Sequence, residues 1–314
     1  MNFTMTKFKL LVIISFALQI HVCKGIEFVD ADSLPKGQVK TITIPKNSLI
    51  KTGVLPAQIN EASGLAVADQ KNFWTHNDDG IPVLYCIDDT GKLIRTLYLN
   101  NLNKGWEDLA RDKEGNLYVG ALGNNKNDRK DLKILIIKNP ESFTEKVYNA
   151  EVINFTYEDQ RDFPPMPAKL NFDSDAMIVH NDSLFIFTKN RTLPFTGYSK
   201  VYRLPKIPGQ PIATLVDSIY IGEGPMMDDW ITGADISPDG TTLALLGHSR
   251  IWLITDFRGS RFSTGNVLRI ELGNYSHKAG IAFTSANELF IVDEKEFGIL
   301  GGDLYKLDIS AFRK

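Results

Sequence analysis

Two cysteines in 314 residues exclude a disulfide-built scaffold. Cys23 falls in a leader-like segment, so Cys86 has no partner for an internal bridge and stability has to come from packing. Within "VLYCIDD", Cys86 sits in an apolar strand pattern that predicts a buried, inert thiol rather than a nucleophile. Charge of one sign is lacking as well: 35 Lys and Arg against 38 Asp and Glu leave a formal net charge of −3 with no long basic run. That removes the electrostatic footprint of a nucleic-acid binder. No Gly-rich phosphate loop, zinc-ligand spacing or nucleophile elbow is present, which excludes the locally encoded chemistries. Beyond residue 25 there is no long helical periodicity and no run long and apolar enough for a membrane helix.

The first 25 residues read as a cleaved secretory signal. Lys7 and Lys9 precede the short apolar run "LLVIISFALQIHV", and Cys23 and Gly25 put small residues three and one before the cut. A lipoprotein anchor at Cys23 is the rival, against which Val22 is bulky where such a signal needs a small residue. The expected location is secreted or periplasmic. Four Asn-x-Ser/Thr triplets follow, at Asn154, Asn181, Asn190 and Asn274, and matter only if the source glycosylates.

What the chain does contain is short strands. "VLYCID", "LYVGAL", "KILIIK", "SLFIFT", "TLALLG" and "ELFIVD" are rich in β-branched and aromatic residues and are separated by turns such as "KEGN", "HNDS" and "SPDG". Five segments repeat: "EASGLA" (61–66), "GWEDLA" (105–110), "DSDAMI" (173–178), "TGADIS" (232–237) and "HKAGIA" (277–282). Their fifth column is apolar throughout (Leu65, Leu109, Met177, Ile236, Ile281), at intervals of 44, 68, 59 and 45 residues. The column before it is Gly64, Asp108, Ala176, Asp235 and Gly280, small or Asp in every repeat. This predicts an all-β chain forming a single β-propeller of four-stranded blades, five in number, or six if the long second or third repeat hides another. The last repeat shows only three strands, and "VKTITIP" near the N-terminus is expected to supply the fourth and close the ring. The domain plan is a signal at 1–25, an arm with the closing strand at 26–60, and the propeller at 61–314.

"E-x-SGL" at Glu61, "WEDLA" at Trp106, "GNN…R" from Asn124 to Arg129, "FDSDA" at Phe172, "TGADISPDG" at Thr232 and "GIAF" at Gly280 recur in this order. The combination resembles a group of secreted bacterial propeller proteins of unassigned activity, loosely akin to the gluconolactonase-like and phytase-like propellers. The resemblance covers most of the chain after the leader. It implies an Asp where this chain has Ala121, a Glu at Ala279, and a Glu where Asp175 stands, so two acids of the set are missing.

Propeller topology puts the start of each innermost strand and the end of the next on one face. That face collects Glu61, Glu107, Asp108, Asp173, Asp175, Thr232 and His277, with the loops carrying Asn77, Asn124, Asn125, Arg129, Lys189, Arg191 and His248. The turns on the opposite face look chemically bland. Glu61, Glu107, Asp175 and Asp235, helped by Asn77 and Asn124, are candidate ligands for Ca²⁺, a hard cation that takes six to eight oxygens. The other reading is that these acids cap strand ends and bind channel water. Glu107, Asp108 and His248 are the candidate catalytic groups, with His277 beside them. Asn77, Asn124, Asn125, Arg129, Lys189 and Arg191 are the candidate ligand-binding residues, the cations suited to an anionic group. Trp74, Trp106 and Trp230 serve either sugar stacking or core packing. The expected protein is a monomer that binds a small-molecule or protein ligand on the axial face. The alternative is a Ca²⁺-dependent hydrolase of a phosphoester, lactone or similar small ester.

Overall fold

The computed structural model describes residues 39–69, 71–296 and 298–312. The expected signal peptide and lipidation site lie outside them.

Four-stranded antiparallel sheets form in chain order. Blade 1 is Ala62–Val67, Asn72–Asn77, Val83–Asp88 and Leu93–Leu99, and blade 2 is Asp108–Arg111, Leu117–Ala121, Lys133–Ile137 and Glu151–Asn154. Blade 3 is Ala176–His180, Ser183–Phe187, Tyr198–Pro205 and Ile212–Tyr220, and blade 4 is Gly233–Ile236, Thr242–Leu246, Arg250–Thr255 and Asn266–Glu271. Blade 5 joins Lys278–Ser285, Glu288–Asp293 and Asp303–Asp308 to the N-terminal strand Leu49–Val54. The innermost strands touch in cyclic order, blade 5 against blade 1 included. The chain is a five-bladed β-propeller closed by an N-terminal strand.

The closing strand is not the expected one. Val39–Thr43, within "VKTITIP", runs parallel on the outer strand of blade 4, Val39 opposite Val267. Leu49–Val54 pairs antiparallel with Asp303–Asp308 and fills the vacant edge instead. Outer parallel strands also extend blade 1 (Val147–Tyr148 on Tyr98 and Leu99) and blade 3 (Thr156–Tyr157 on Ile212 and Ala213).

Strands here read as almost continuous apolar runs because both faces of each blade are covered. Leu243 and Leu245 face blade 3, while Ala244 and Leu246 face blade 5. Ile134 and Ile136 face blade 3, while Leu135 and Ile137 face blade 1. The described residues form five apolar clusters, one for each pair of neighbouring blades. Cys86 is buried in the cluster between blades 1 and 2, and burial pushes its thiol up to about 12, as expected of an inert core cysteine.

The small-or-Asp column has a packing cause. Gly64 sits at φ +69°, and a Cβ there would lie 2.7 Å from the backbone nitrogen of Leu109. A Cβ on Gly280 would lie 2.6 Å from the carbonyl carbon of Gly64. The inner strands approach so closely that only glycine fits at these two spokes. At two others, Asp reaches across. Asp108 Oδ2 accepts from the N–H of Met177 (2.7 Å) and of Ala234 (3.3 Å), and Asp235 Oδ2 accepts from the N–H of Phe283 (2.7 Å).

Candidate functional site

On the face predicted to be polar, a cavity of about 310 Å³ opens onto the propeller axis. All five blades contribute. Asp78 follows the second strand of blade 1, and Glu107 immediately precedes the innermost strand of blade 2. Asp175 occupies the matching place in blade 3, whose second strand is followed by Lys189 and Arg191. His248 comes from blade 4, and His277, Glu294 and Glu296 from blade 5. The connections between blades add Met227, Trp230 and Tyr275.

Most of the charges are paired. Lys189 Nζ bonds Asp175, and Arg191 Nε bonds the fully buried Asp173 at 2.6 Å while its Nη2 reaches Asn125. Both cations lie over the Trp230 ring, Lys189 Nζ at 5.0 Å and Arg191 Cζ at 4.3 Å. Burial alone would lower the pKa of Lys189, but Asp175, Asp173 and Glu107 together raise it, so it stays charged. His277 Nδ1 lies 2.9 Å from Glu294 Oε2, a contact that raises the histidine pKa. His248, 3% exposed, packs 4.8 Å from the His277 ring, and its Nδ1 has no hydrogen-bond partner. Desolvation and the neighbouring His277 hold it down to about 3, so it is neutral at physiological pH.

Glu107 is different. Its carboxyl forms no hydrogen bond among the described residues, and desolvation with the nearby Asp175 holds its pKa well above the usual carboxylate range. It packs against Gly123, where a Cβ would come within 2.0 Å of Glu107 Oε1. Asp78 also rises, to about 7, because burial and then Glu294 and Glu61 disfavour its charge.

Several sequence-predicted residues lie elsewhere. Asp108 is fully buried, and its two oxygens accept from Leu109, Met177 and Ala234 N–H groups, so it staples inner strands and does not face the cavity. Asp235 does the same with Ile236 and Phe283, and it opens to the opposite face. Asn77 accepts from the Glu61 N–H and donates to the Gln58 carbonyl. Asn124, 2% exposed, is consumed by Asp173, Phe172 and Arg129. Arg129 bonds Asp131 and the carbonyls of Lys104 and Gly123. Glu61 is exposed and bonded to Asp78. Of the four acids expected to hold Ca²⁺, only Glu107 and Asp175 line the cavity, and Asp175 is engaged by Lys189. Among the described residues no three His, Cys, Asp or Glu side chains are spaced to hold a metal ion. The residues expected to hold Ca²⁺ are thus not gathered around one point.

Ala121 is 1% exposed inside the apolar cluster between blades 1 and 2, and Ala279 is likewise buried. Trp74 and Trp106 are core residues of that same cluster, whereas Trp230 is a wall of the cavity. The opposite face is not bland. It carries a larger cavity, about 580 Å³, lined among others by Arg111, His180, Asp235 and the turn 237–240. Met227, Tyr275 and Glu296 carried no signal in the sequence, since they lie on segments without counterparts in other repeats.

The fold and site define a five-bladed propeller with a charged axial pocket fed by all five blades. No protein-family model and no curated protein matches the chain. Among solved structures it is similar to an aldose sugar dehydrogenase of Streptomyces coelicolor in its PQQ-bound form (11% identity, 84% of this chain and 99% of that one, TM-score 0.48). It is also similar to a gluconolactonase of Xanthomonas campestris (15%, 83% and 89%, TM-score 0.46). A third is a virginiamycin B lyase of Staphylococcus aureus (15%, 81% and 68%, TM-score 0.39). Likeness at this level carries no argument about activity. No helix among the described residues is long and apolar enough to cross a membrane.

Proposed function

We propose that the protein is an exported ligand-binding β-propeller whose axial pocket holds a small polar ligand. One observation supports this above the others: Glu107 lines the cavity with a carboxyl that has no hydrogen-bond partner among the described residues. The side chain is only partly exposed and burial disfavours its charge, so a ligand's donor at the carboxyl would be favourable. The paired walls, Lys189 with Asp175 and Arg191 with Asp173, hold the pocket's shape without a ligand. A volume near 310 Å³ belongs at the small end of ligand pockets, which run from about 300 to 1,000 Å³. Export rests on the leader-like residues 1–25. The test is a thermal-shift and calorimetric screen of small polar compounds against the native chain and Glu107→Ala. Saturable binding lost in the variant supports the reading. Binding indifferent to Glu107, or none across the screen, contradicts it.

A second reading, a hydrolase of small esters, is favoured by the His277–Glu294 pair at 2.9 Å. A carboxylate orienting a histidine is the arrangement of a general base. Neutral His277 would take the proton of an attacking water as the new C–O bond forms. Protonated Glu107 would give its proton to the departing alkoxide, yielding acid and alcohol. His277 then replaces His248 as the base, since His248 is enclosed and held neutral. Ester or lactone turnover lost in both Glu107→Gln and His277→Ala would establish this reading. No turnover across phosphoester, ester and lactone substrates would reject it.

A further inference from the structure

The geometry points to an organic cation, a compound bearing an ammonium or guanidinium group beside an apolar flank, as the ligand of the axial pocket. This rests on the ligand-binding reading above and adds the sign of the ligand's charge.

Five acids line the cavity: Asp78, Glu107, Asp175, Glu294 and Glu296. The cations lining it are Lys189, Arg191 and, when protonated, His277. Each of these is already matched, Lys189 by Asp175, Arg191 by Asp173 and His277 by Glu294. Subtracting those pairs leaves Asp78, Glu107 and Glu296 in excess of the cations: Glu107 feels only a Lys189 already bonded to Asp175, and Glu296 lies 3.9 Å from a His277 already held closer by Glu294. An anionic ligand would have to displace built ion pairs, whereas a cation finds acids waiting.

A metal ion is the wrong shape for these acids. They come from blades 1, 2 and 5, and no three acids or histidines among the described residues are spaced to share one ion. A ligand with its charge on an extended organic frame can reach carboxylates set apart on different walls. The enclosed His248, 3% exposed, is a second polar side chain of the wall, and its Nδ1 has no hydrogen-bond partner among the described residues. At the mouth, Met227 and Tyr275 are 53% and 56% exposed, which gives the apolar part of such a ligand a place to lie.

The experiment uses matched pairs that differ only in charge: phenethylamine against 2-phenylethanol, and putrescine against 1,4-butanediol, with glucose as a neutral polyol. Each is titrated calorimetrically into the native chain, Glu107→Gln and Lys113→Ala, the last lying on the opposite face. The expected result is that an amine binds the native protein at least tenfold more tightly than its neutral twin. In Glu107→Gln that preference shrinks at least fivefold, and in Lys113→Ala it is unchanged. Neutral compounds binding as tightly as the amines, with dependence on Glu107, would overturn the cationic inference and leave the ligand-binding reading standing. No binding of any probe to the native protein would overturn both.

Discussion

The carboxylate of Asp108 accepts a hydrogen bond from the backbone N–H of Met177, one blade away, at 2.7 Å. The same oxygen lies 3.3 Å from the N–H of Ala234 in the blade beyond, and the other oxygen takes Leu109 N–H at 2.8 Å. One side chain therefore holds three innermost strands together at the axis. Its neighbour Glu107 makes no side-chain hydrogen bond among the described residues and faces the pocket. Two adjacent carboxylates have separate tasks, because successive residues of an extended chain point to opposite sides.

Asp108→Ala would leave buried N–H groups of Met177 and Leu109 without acceptors, each worth about 1–3 kcal/mol. The expected loss of unfolding free energy is about 3 kcal/mol or more in urea titration. Asp108→Asn, which keeps one acceptor oxygen, should lose less.

Gly123→Ala tests how Glu107 is seated. The added methyl would fall where Glu107 Oε1 now lies, 2.0 Å away, and the carboxyl is the movable partner. Ligand affinity should therefore fall severalfold by calorimetry while the melting temperature changes little. A large stability loss with intact binding would mean that the backbone moves instead of the side chain.

The pH dependence of stability has an unusual component. The folded pKa of Asp78 is about 7, above its unfolded value of 3.8, so between those values the folded state holds a proton that the unfolded chain releases. Its contribution to stability therefore declines as pH rises from about 4 to 7 and is level above that. Asp235, also about 7, acts in the same direction, while His76 and His248, depressed to about 4 and 3, act oppositely. The Asp78 component is isolated by difference. The melting temperature of Asp78→Asn minus that of the native protein should grow from pH 5 to pH 7 and then stay constant.

Much of this was legible in the sequence. The recurring apolar column fixed the innermost strands, and strand topology then placed Glu107, Asp175, Lys189 and Arg191 on one face. What pattern could not show was which oxygens the backbone would consume. Asp108 and Asp235 look like Glu107 on paper, yet inter-strand N–H groups take their lone pairs. Asn77, Asn124 and Arg129 were likewise absorbed by loop carbonyls, amides and side chains that only the folded chain brings near. "VKTIT" and "LIKTGV" both alternate well enough to pair. Only the vacant edge beside Asp303–Asp308 distinguishes them, and that edge is a property of the ring.

The most direct test of the division of labour between Glu107 and Asp108 is the unfolding free energy of Glu107→Gln at pH 8, measured by urea titration. If Glu107 is kept for a ligand, the variant sheds an acid whose charge burial, Asp175, Asp173 and Asp78 disfavour more than Lys189 favours it, and is at least as stable as the native chain. A loss of more than about 1 kcal/mol, the net worth of a typical hydrogen bond, would show that Glu107 holds the ring together as Asp108 does.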